Sequence, residues 1–149
     1  MAGMKIWGVV LAICFAAAAA GVVCGQPMIE YKEGKLEDLR GMRRFYVIAP
    51  SLGDRAAIAR QMNGRQGLRL MRHGTTAQFH VTFGCSRWGG APPEDPSTIE
   101  LRVSIPKPDP VIVNVWFKEE KVPNCKNAAA KTSLVREFLK DFAEMNRRK

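Results

Sequence analysis

Histidine is scarce in this chain, and the residue types that catalytic and metal sites need are not grouped. Its 149 residues include two histidines, His73 and His80, and no pair of carboxylates stands out as an acid–base couple. The Gly-x-x-x-x-Gly-Lys-Ser/Thr motif of phosphate-binding loops is missing, and nothing repeats at the period of a solenoid. His73, His80 and Cys85 do not have the spacing of a standard metal site. We therefore expect neither a metal nor a cofactor.

The first 25 residues have the layout of a secretory signal peptide. A basic start precedes an uncharged apolar run over residues 6–23, and Val23 and Gly25 occupy positions −3 and −1 of a cut before Gln26. Two alternatives stay open: a membrane anchor through residues 6–23 that is not cleaved, and a lipoprotein cut before Cys24. We expect cleavage near Gln26 and an exported protein, either periplasmic or extracellular.

Cleavage would also remove two of the four cysteines. Cys85 and Cys125 would remain, as an even pair in an oxidising compartment, and this predicts a disulfide bond. Closing a loop of about 40 residues contributes on the order of 3–4 kcal/mol. The alternative is two separate thiols.

Lysine and arginine together outnumber the acidic residues, and the formal net charge is +9. In a cytosolic protein this surplus of positive charge would indicate nucleic-acid binding. Export argues against nucleic acid as the partner. We expect instead an anionic component of the cell envelope or an acidic protein partner. A surface that is basic only for solubility is the alternative.

The exported part has the length of one domain. Residues 26–42 form an extended lead-in with room for one short strand or turn, and residues 43–149 form the domain. An apolar run at 45–49 predicts a strand covered on both faces. The capping-box pattern from Ser51 to Asp54 predicts a helix that runs to about Asn63, and residues 68–71 predict a second strand, parallel to the first. The residues expected on the inner face of this helix are Leu52, Ile58, Ala59 and Met62.

Alternating apolar residues predict three further strands, at 79–83, 99–105 and 111–117. A Gly/Pro-rich loop over 84–97 and a hairpin connection over 106–110 separate them. In the last strand the alternation places Val111, Val113, Val115 and Phe117 on one face, and Ile112, Asn114 and Trp116 on the other. A final helix carries the apolar stripe Leu134, Phe138, Phe142 and Met145. The predicted fold is α/β: a single two-layer domain with a mixed sheet of about five strands, in the order β-α-β-(short α)-β-β-β-α, and helices packed on it.

The triplet Arg72-His73-Gly74 resembles the signature of the histidine phosphatases, the phosphoglycerate mutase-like family. That resemblance implies that His73 takes a phosphoryl group while Arg72 holds its oxygens. The family also needs a second histidine far downstream and a longer domain than the 76 residues that follow His73. We therefore interpret the triplet as the end of a strand and a turn. A small hydrolase or phosphoryl-transfer enzyme centred on His73 remains the alternative function.

Trp88, with its neighbour Arg87, is the better candidate for binding. A tryptophan among glycines and prolines on an exposed loop is the kind of side chain that anchors a partner. The alternative is that Trp88 folds back over the edge of the sheet.

Most of residues 37–149 resembles a type of small exported bacterial protein without an assigned activity. The resemblance rests on Glu37–Gly41 leading into the strand Arg44–Ile48, on Phe83-Gly84 at the end of a later strand, and on the C-terminal helix. It implies an α/β layer fold and a role in the envelope, and it carries over no catalytic residues. The function we expect is a non-enzymatic binding or envelope-associated module. A structural protein stapled by its disulfide is a third interpretation.

Overall fold

The computed structural model describes residues 28–87, 96–108 and 110–148. Within these ranges the chain forms a six-stranded sheet, two helices and three short 3-10 turns. The strands are β1 (Glu30–Glu33), β2 (Arg44–Ile48), β3 (Arg69–Leu70), β4 (Phe79–Ser86), β5 (Ser97–Pro106) and β6 (Val111–Val122). The helices are α1 (Leu52–Met62) and α2 (Ala128–Arg147), and the 3-10 turns are Leu36–Leu39, Arg65–Gly67 and Gly74–Thr76.

The sheet is mixed, with its strands in the order β1-β6-β5-β4-β2-β3. β4, β5 and β6 are antiparallel neighbours. β1 pairs in parallel with β6, and β2 pairs in parallel with both β3 and β4. The predicted α/β fold with helices on a mixed sheet is confirmed, with six strands rather than about five. The additional strand is β1, which the lead-in segment supplies.

Both helices pack against one face of the sheet and contact each other. Alternate residues of the four longer strands, β2, β4, β5 and β6, turn toward this face, where the apolar stripes of the helices meet them. The predicted stripe of α2 is confirmed, since Leu134, Phe138, Phe142 and Met145 are all buried. The Phe79 ring on β4 lies 6.5 Å from Phe138 and 6.4 Å from Phe142. Burying each such ring contributes about 1.5–3 kcal/mol, so these aromatic contacts hold α2 on the sheet.

Helix α1 begins and ends as the sequence predicts. Ser51 Oγ accepts a hydrogen bond from the Asp54 amide at 3.0 Å, which satisfies one of the free amides of the first turn. Gly64 follows the helix with a φ of +82°, a left-handed conformation that glycine adopts without steric cost. The inner residues of its second half are buried as expected: Ile58, Ala59 and Met62. Leu52 is 83% exposed, so its predicted inward position is wrong, because the first turn of the helix lies before the buried stripe begins.

A β-bulge in β6 reverses the predicted faces of its second half. The register shifts between Val103 and Ser104, so that Val103 pairs with Trp116 and Ser104 with Asn114. Val115 is the extra residue, and an extra residue reverses the alternation beyond it. Trp116 therefore faces α2 and not the side of Asn114.

The contacts beyond the bulge confirm this orientation. The Trp116 ring packs edge-to-face on Phe138 with centroids 5.4 Å apart, and its indole N–H donates to Asp141 Oδ2 at 2.9 Å. Phe117 turns to the opposite face and is 49% exposed, so its predicted place with Val113 and Val115 is wrong.

A disulfide bond joins Cys85 on β4 to Cys125 in the turn before α2, with Cα atoms 5.8 Å apart. The predicted pairing is confirmed. Because the bond closes a sequence separation of 40 residues, it ties the start of α2 to the end of a central strand.

Several predictions fall partly or wholly outside the described residues. They are the signal peptide at 1–25, the alternative of an uncleaved anchor through residues 6–23, the lipoprotein alternative at Cys24, and Trp88. Residues 84–86 are described, and they continue β4 opposite 98–100 of β5, so the predicted loop over 84–97 begins too early. Among the helices that the structure describes, none combines the length and the apolar character needed to cross a bilayer.

Candidate binding surface

Arg72 and His73, the residues of the phosphatase-like triplet, lie in the exposed connection between β3 and β4. The carbonyl oxygen of His73 accepts a hydrogen bond from Thr76 Oγ1 at 2.9 Å, at the start of a 3-10 turn. In residues 28–87, 96–108 and 110–148, no side chain hydrogen-bonds to the His73 ring or forms an ion pair with Arg72. The described surroundings of His73 thus provide no partner for general acid–base chemistry.

His80, the other histidine, has a structural position. Its Nε2 lies 3.0 Å from the carbonyl oxygen of Gly74, and its ring meets Tyr46 edge-to-face at 5.9 Å. Cys85 is in the disulfide, and no three His, Cys, Asp or Glu side chains of the described ranges are grouped to hold a metal ion. His80 instead fixes the β3–β4 connection where it crosses β2.

Arg87 directly follows β4 and is exposed, whereas Trp88 lies outside the described residues. Their role in binding stays a prediction.

No helix in the described part of the chain packs on the second face of the sheet. The connection 71–78 crosses this face over β2, where a Cβ on Gly74 would lie 3.3 Å from His80 and 3.4 Å from Tyr46. Beside it lies a depression of about 230 Å³ that is lined by polar residues of β4, β5 and β6. Asn114 lies among them, and its buried Oδ1 has no hydrogen-bond partner among the described residues. Among the described residues, this acceptor is therefore buried and unsatisfied.

Apolar side chains and one ion pair surround this depression. Tyr31 and Ile48 line it and are 60% and 42% exposed. The Arg102 guanidinium lies 3.7 Å from Glu100 and 5.2 Å from the centroid of the Phe117 ring. Aromatic and apolar groups with a few polar ones are typical of a binding surface.

The positive charge of the chain is concentrated in one segment. Residues 39–93 contain nine arginines, no lysine and a single acid, Asp54. The rest of the chain is close to neutral, with 14 Lys and Arg against 13 acids. The excess charge therefore belongs to the part of the fold formed by β2, α1, β3 and β4.

Asp54 does not neutralise these arginines, because its carboxylate is already engaged. Lys131 of α2 forms an ion pair with it, and Ser51 Oγ donates to it at 2.8 Å. Burial alone raises the pKa of Asp54, but the hydrogen bonds from Lys131 and Ser51 outweigh burial and hold this pKa below its usual range. Asp54 is thus ionised and neutralised by a lysine from another element.

Five of the nine arginines form what we call the arginine edge. Each is exposed, and no carboxylate in the described residues lies within ion-pair distance of any of them. Three lie on the edge strand β3 and the turns around it, one is in the last turn of α1, and one is on β2. The arginine edge consists of Arg44, Arg60, Arg65, Arg69 and Arg72.

Arg44 and Arg69 are register partners on neighbouring strands. Like charges on adjacent residues of one sheet face repel each other and destabilise the pairing. The fold tolerates this pair without an internal acid, which is expected if an external anion neutralises it.

Three other arginines of the segment have structural contacts. The Arg43 guanidinium lies 5.6 Å from the centroid of Phe142, and Arg40 donates to the carbonyl oxygen of Met145 at 3.4 Å. Arg55 lies 4.6 Å above the Tyr46 ring. Reasoning from net charge did not identify the arginine edge, although the long stretch with one acid was a signal for it in the sequence.

Comparisons with known proteins do not assign a family. The chain matches no family model and no curated protein. A solved structure that it matches is the solution NMR structure of an uncharacterized lipoprotein B from Nitrosomonas europaea, at 8% identity, with 84% of this chain and 87% of that chain covered and a TM-score of 0.28. At this TM-score the match supports no inference about the fold or the function of this chain.

Proposed function

We propose that this protein is an exported, non-enzymatic module that binds an anionic partner through the arginine edge. The observation that carries the proposal is the charge of residues 39–93: their arginines have one acid among them, and that acid is paired with Lys131. The signal-peptide pattern of residues 1–25 supports export, and the exposed surroundings of His73 favour binding over catalysis.

The exclusive use of arginine also favours a binding role. A guanidinium group donates in a planar fork that matches carboxylate and phosphate groups, whereas a lysine acts as a point charge. A surface that served only solubility would have no need to select arginine over lysine. Several exposed arginines around one edge strand can contact several anionic groups of one partner at once.

The test is binding of poly-L-glutamate at increasing salt concentration, with two matched variants. Arg44→Glu/Arg69→Glu reverses two charges of the arginine edge, and Lys107→Glu/Lys121→Glu makes the same change in net charge at exposed residues of the β5–β6 hairpin. We expect the first variant to lose at least about tenfold in affinity and the control to lose much less. Equal losses would show that only net charge matters and would contradict the proposal.

The enzymatic alternative is tested in the same preparation. His73→Ala should bind poly-L-glutamate like the wild type, since His73 is not part of the arginine edge. If the wild type hydrolyses p-nitrophenyl phosphate and His73→Ala does not, the protein is a phosphatase and the proposal is wrong.

A further inference from the structure

The sheet has two edge strands, β3 and β1, and they differ in how they end the sheet. β3 is two residues long. The amides of Arg69 and Met71 donate toward β2, so the amide of Leu70 between them points outward, and it donates to Asn63 Oδ1 at 3.0 Å. A very short strand with charged residues is one way in which proteins prevent an edge from pairing with another chain. The β3 edge is therefore closed to a further strand.

β1 presents its outer side to solvent. The amides of Glu30 and Gly34 donate toward β6, at 2.9 and 2.7 Å. Because backbone groups alternate in direction along a strand, those of Tyr31 and Glu33 point away from β6. All four residues of β1 are exposed, Tyr31 by 60%, and among the described residues no strand lies beyond β1. β1 thus offers accessible backbone donors and acceptors to another strand.

The charges of β1 complement those of a second copy of the same strand in one antiparallel register. Residues whose backbone groups point outward must lie opposite each other, so the two-fold axis passes through a residue and not between two residues. An axis at Glu30, Lys32 or Glu33 places like charges directly opposite, which destabilises the pairing. An axis at Tyr31 places Glu30 of each copy opposite Lys32 of the other. It also lets the two Tyr31 residues exchange both of their backbone hydrogen bonds.

The surplus positive charge of the chain does not oppose this contact. The arginine edge lies around β3, at the end of the sheet opposite to β1. β1 itself contains one lysine and two glutamates, and Lys32 Nζ lies 3.4 Å from Glu30 Oε1. Two copies that meet at β1 therefore approach through the ends that lack the excess charge.

We propose that two copies of this chain pair through β1, in an antiparallel, two-fold symmetric register centred on Tyr31. The product is one continuous sheet of twelve strands, six from each copy. An interface of this kind is isologous and closed, so it forms dimers and not filaments. Only four residues of each copy form the strand contact, so the dimer is weak and reversible.

The dimer would place the two arginine edges at the outer ends of the joined sheet. With neighbouring strands about 4.8 Å apart, these ends are on the order of 50 Å from each other. One long anionic partner can then contact both edges, which raises its affinity without any new contact. This consequence rests on the proposed function, whereas the dimer itself does not.

Sedimentation equilibrium of the disulfide-bonded mature protein, up to about 1 mM, measures the dimer, and amide hydrogen exchange locates it. The amides of Tyr31 and Glu33 should become protected as concentration rises. Those of Glu30 and Lys32 face β6 and should be protected at every concentration. A protein that stays monomeric, or a dimer in which Tyr31 and Glu33 remain unprotected, would overturn the inference.

Charge variants test the register. Glu30→Lys and Lys32→Glu each place like charges opposite in their own dimer and should weaken it by on the order of tenfold. An equal mixture of the two variants restores opposite charges at both pairs and should form a heterodimer with the affinity of the wild type. Glu119→Lys, the same charge change at an exposed position of β6, is the control and should dimerise like the wild type. A mixture that does not recover the dimer would show that this register is wrong.

Tyr31→Pro separates the dimer from anion binding. Proline is tolerated on an edge strand where the N–H faces solvent, so this variant should keep β1 on β6 and be monomeric. It should bind long poly-L-glutamate at least about fivefold more weakly than the wild type. A peptide of about six glutamates, at most about 20 Å long, should bind both proteins equally.

The outcomes distinguish the two proposals. A Tyr31→Pro variant that dimerises like the wild type would overturn pairing through β1. If this variant is monomeric but binds the long polymer as tightly as the wild type, the dimer stands and its effect on binding is wrong. If neither polymer nor peptide binds either protein, the proposed function fails, and sedimentation still decides the dimer.

Discussion

Lys131 on α2 reaches across to Asp54 on α1, and the two side chains of this ion pair are only 14% and 21% exposed. The same lysine lies 5.3 Å from the centroid of the Phe83 ring on β4. One charged group thus joins the first turns of both helices to the sheet. It also engages the one acid that residues 39–93 contain.

Replacing Asp54 with Asn should destabilise the protein by about 1–2 kcal/mol near neutral pH, between the values for exposed and for buried ion pairs. The pKa of Asp54 is lowered in the folded state, so its contribution is present above the pKa of the unfolded chain and is lost as pH falls through the folded pKa. The difference between wild type and Asp54→Asn in urea unfolding should therefore shrink under acid conditions. Glu119→Gln, an exposed control, should change stability by less than about 0.5 kcal/mol. A difference for Asp54→Asn that does not depend on pH would contradict this account.

Arg69→Glu should stabilise the fold while it weakens anion binding. It replaces a like-charge pair with an opposite-charge pair opposite Arg44, a change of about 0.2–1 kcal/mol in favour of folding. Thermal unfolding and poly-L-glutamate binding, measured on the same sample, check both effects. Lys107→Glu serves as the control. If Arg69→Glu were less stable than the wild type, or bound poly-L-glutamate as tightly, this account of the Arg44–Arg69 pair would be wrong.

Trp116 and Phe117 should differ strongly in their contribution to stability. Trp116→Ala removes a side chain packed on Phe138 and bonded to Asp141, and we expect a loss of about 3–5 kcal/mol. Phe117→Ala removes a half-exposed ring and should cost less than about 1 kcal/mol. Urea unfolding of both variants checks the bulge in β6, because strict alternation along the strand predicts the reverse order.

The intact mass of the secreted protein, measured with and without reductant, tests two predictions about cysteine and export. We expect a chain that starts near Gln26, and a mass that rises by two hydrogens on reduction of the Cys85–Cys125 bond. The full-length mass would show an uncleaved anchor, and a lipid adduct would show processing at Cys24. A mass unaffected by reductant would contradict the disulfide.

Local patterns predicted most of the elements correctly. The capping box at Ser51 and the stripe of α2 depend on residues close together in sequence, so they are visible without the fold. Leu52 was misplaced because a helix pattern does not tell where the sheet beneath it ends. The bulge in β6 was missed because it is a property of two strands in register, and neither strand alone reveals it.

By itself, the sequence determined the class of fold and the surplus of positive charge, because these follow from alternation and from composition. It predicted the pairing of Cys85 with Cys125, and the structure confirmed it. Only the tertiary structure decided where that charge is available. It pairs Asp54 with Lys131 and places Arg44 beside Arg69. Each of these depends on contacts between distant parts of the chain, which strand order and helix packing create and which no local pattern encodes.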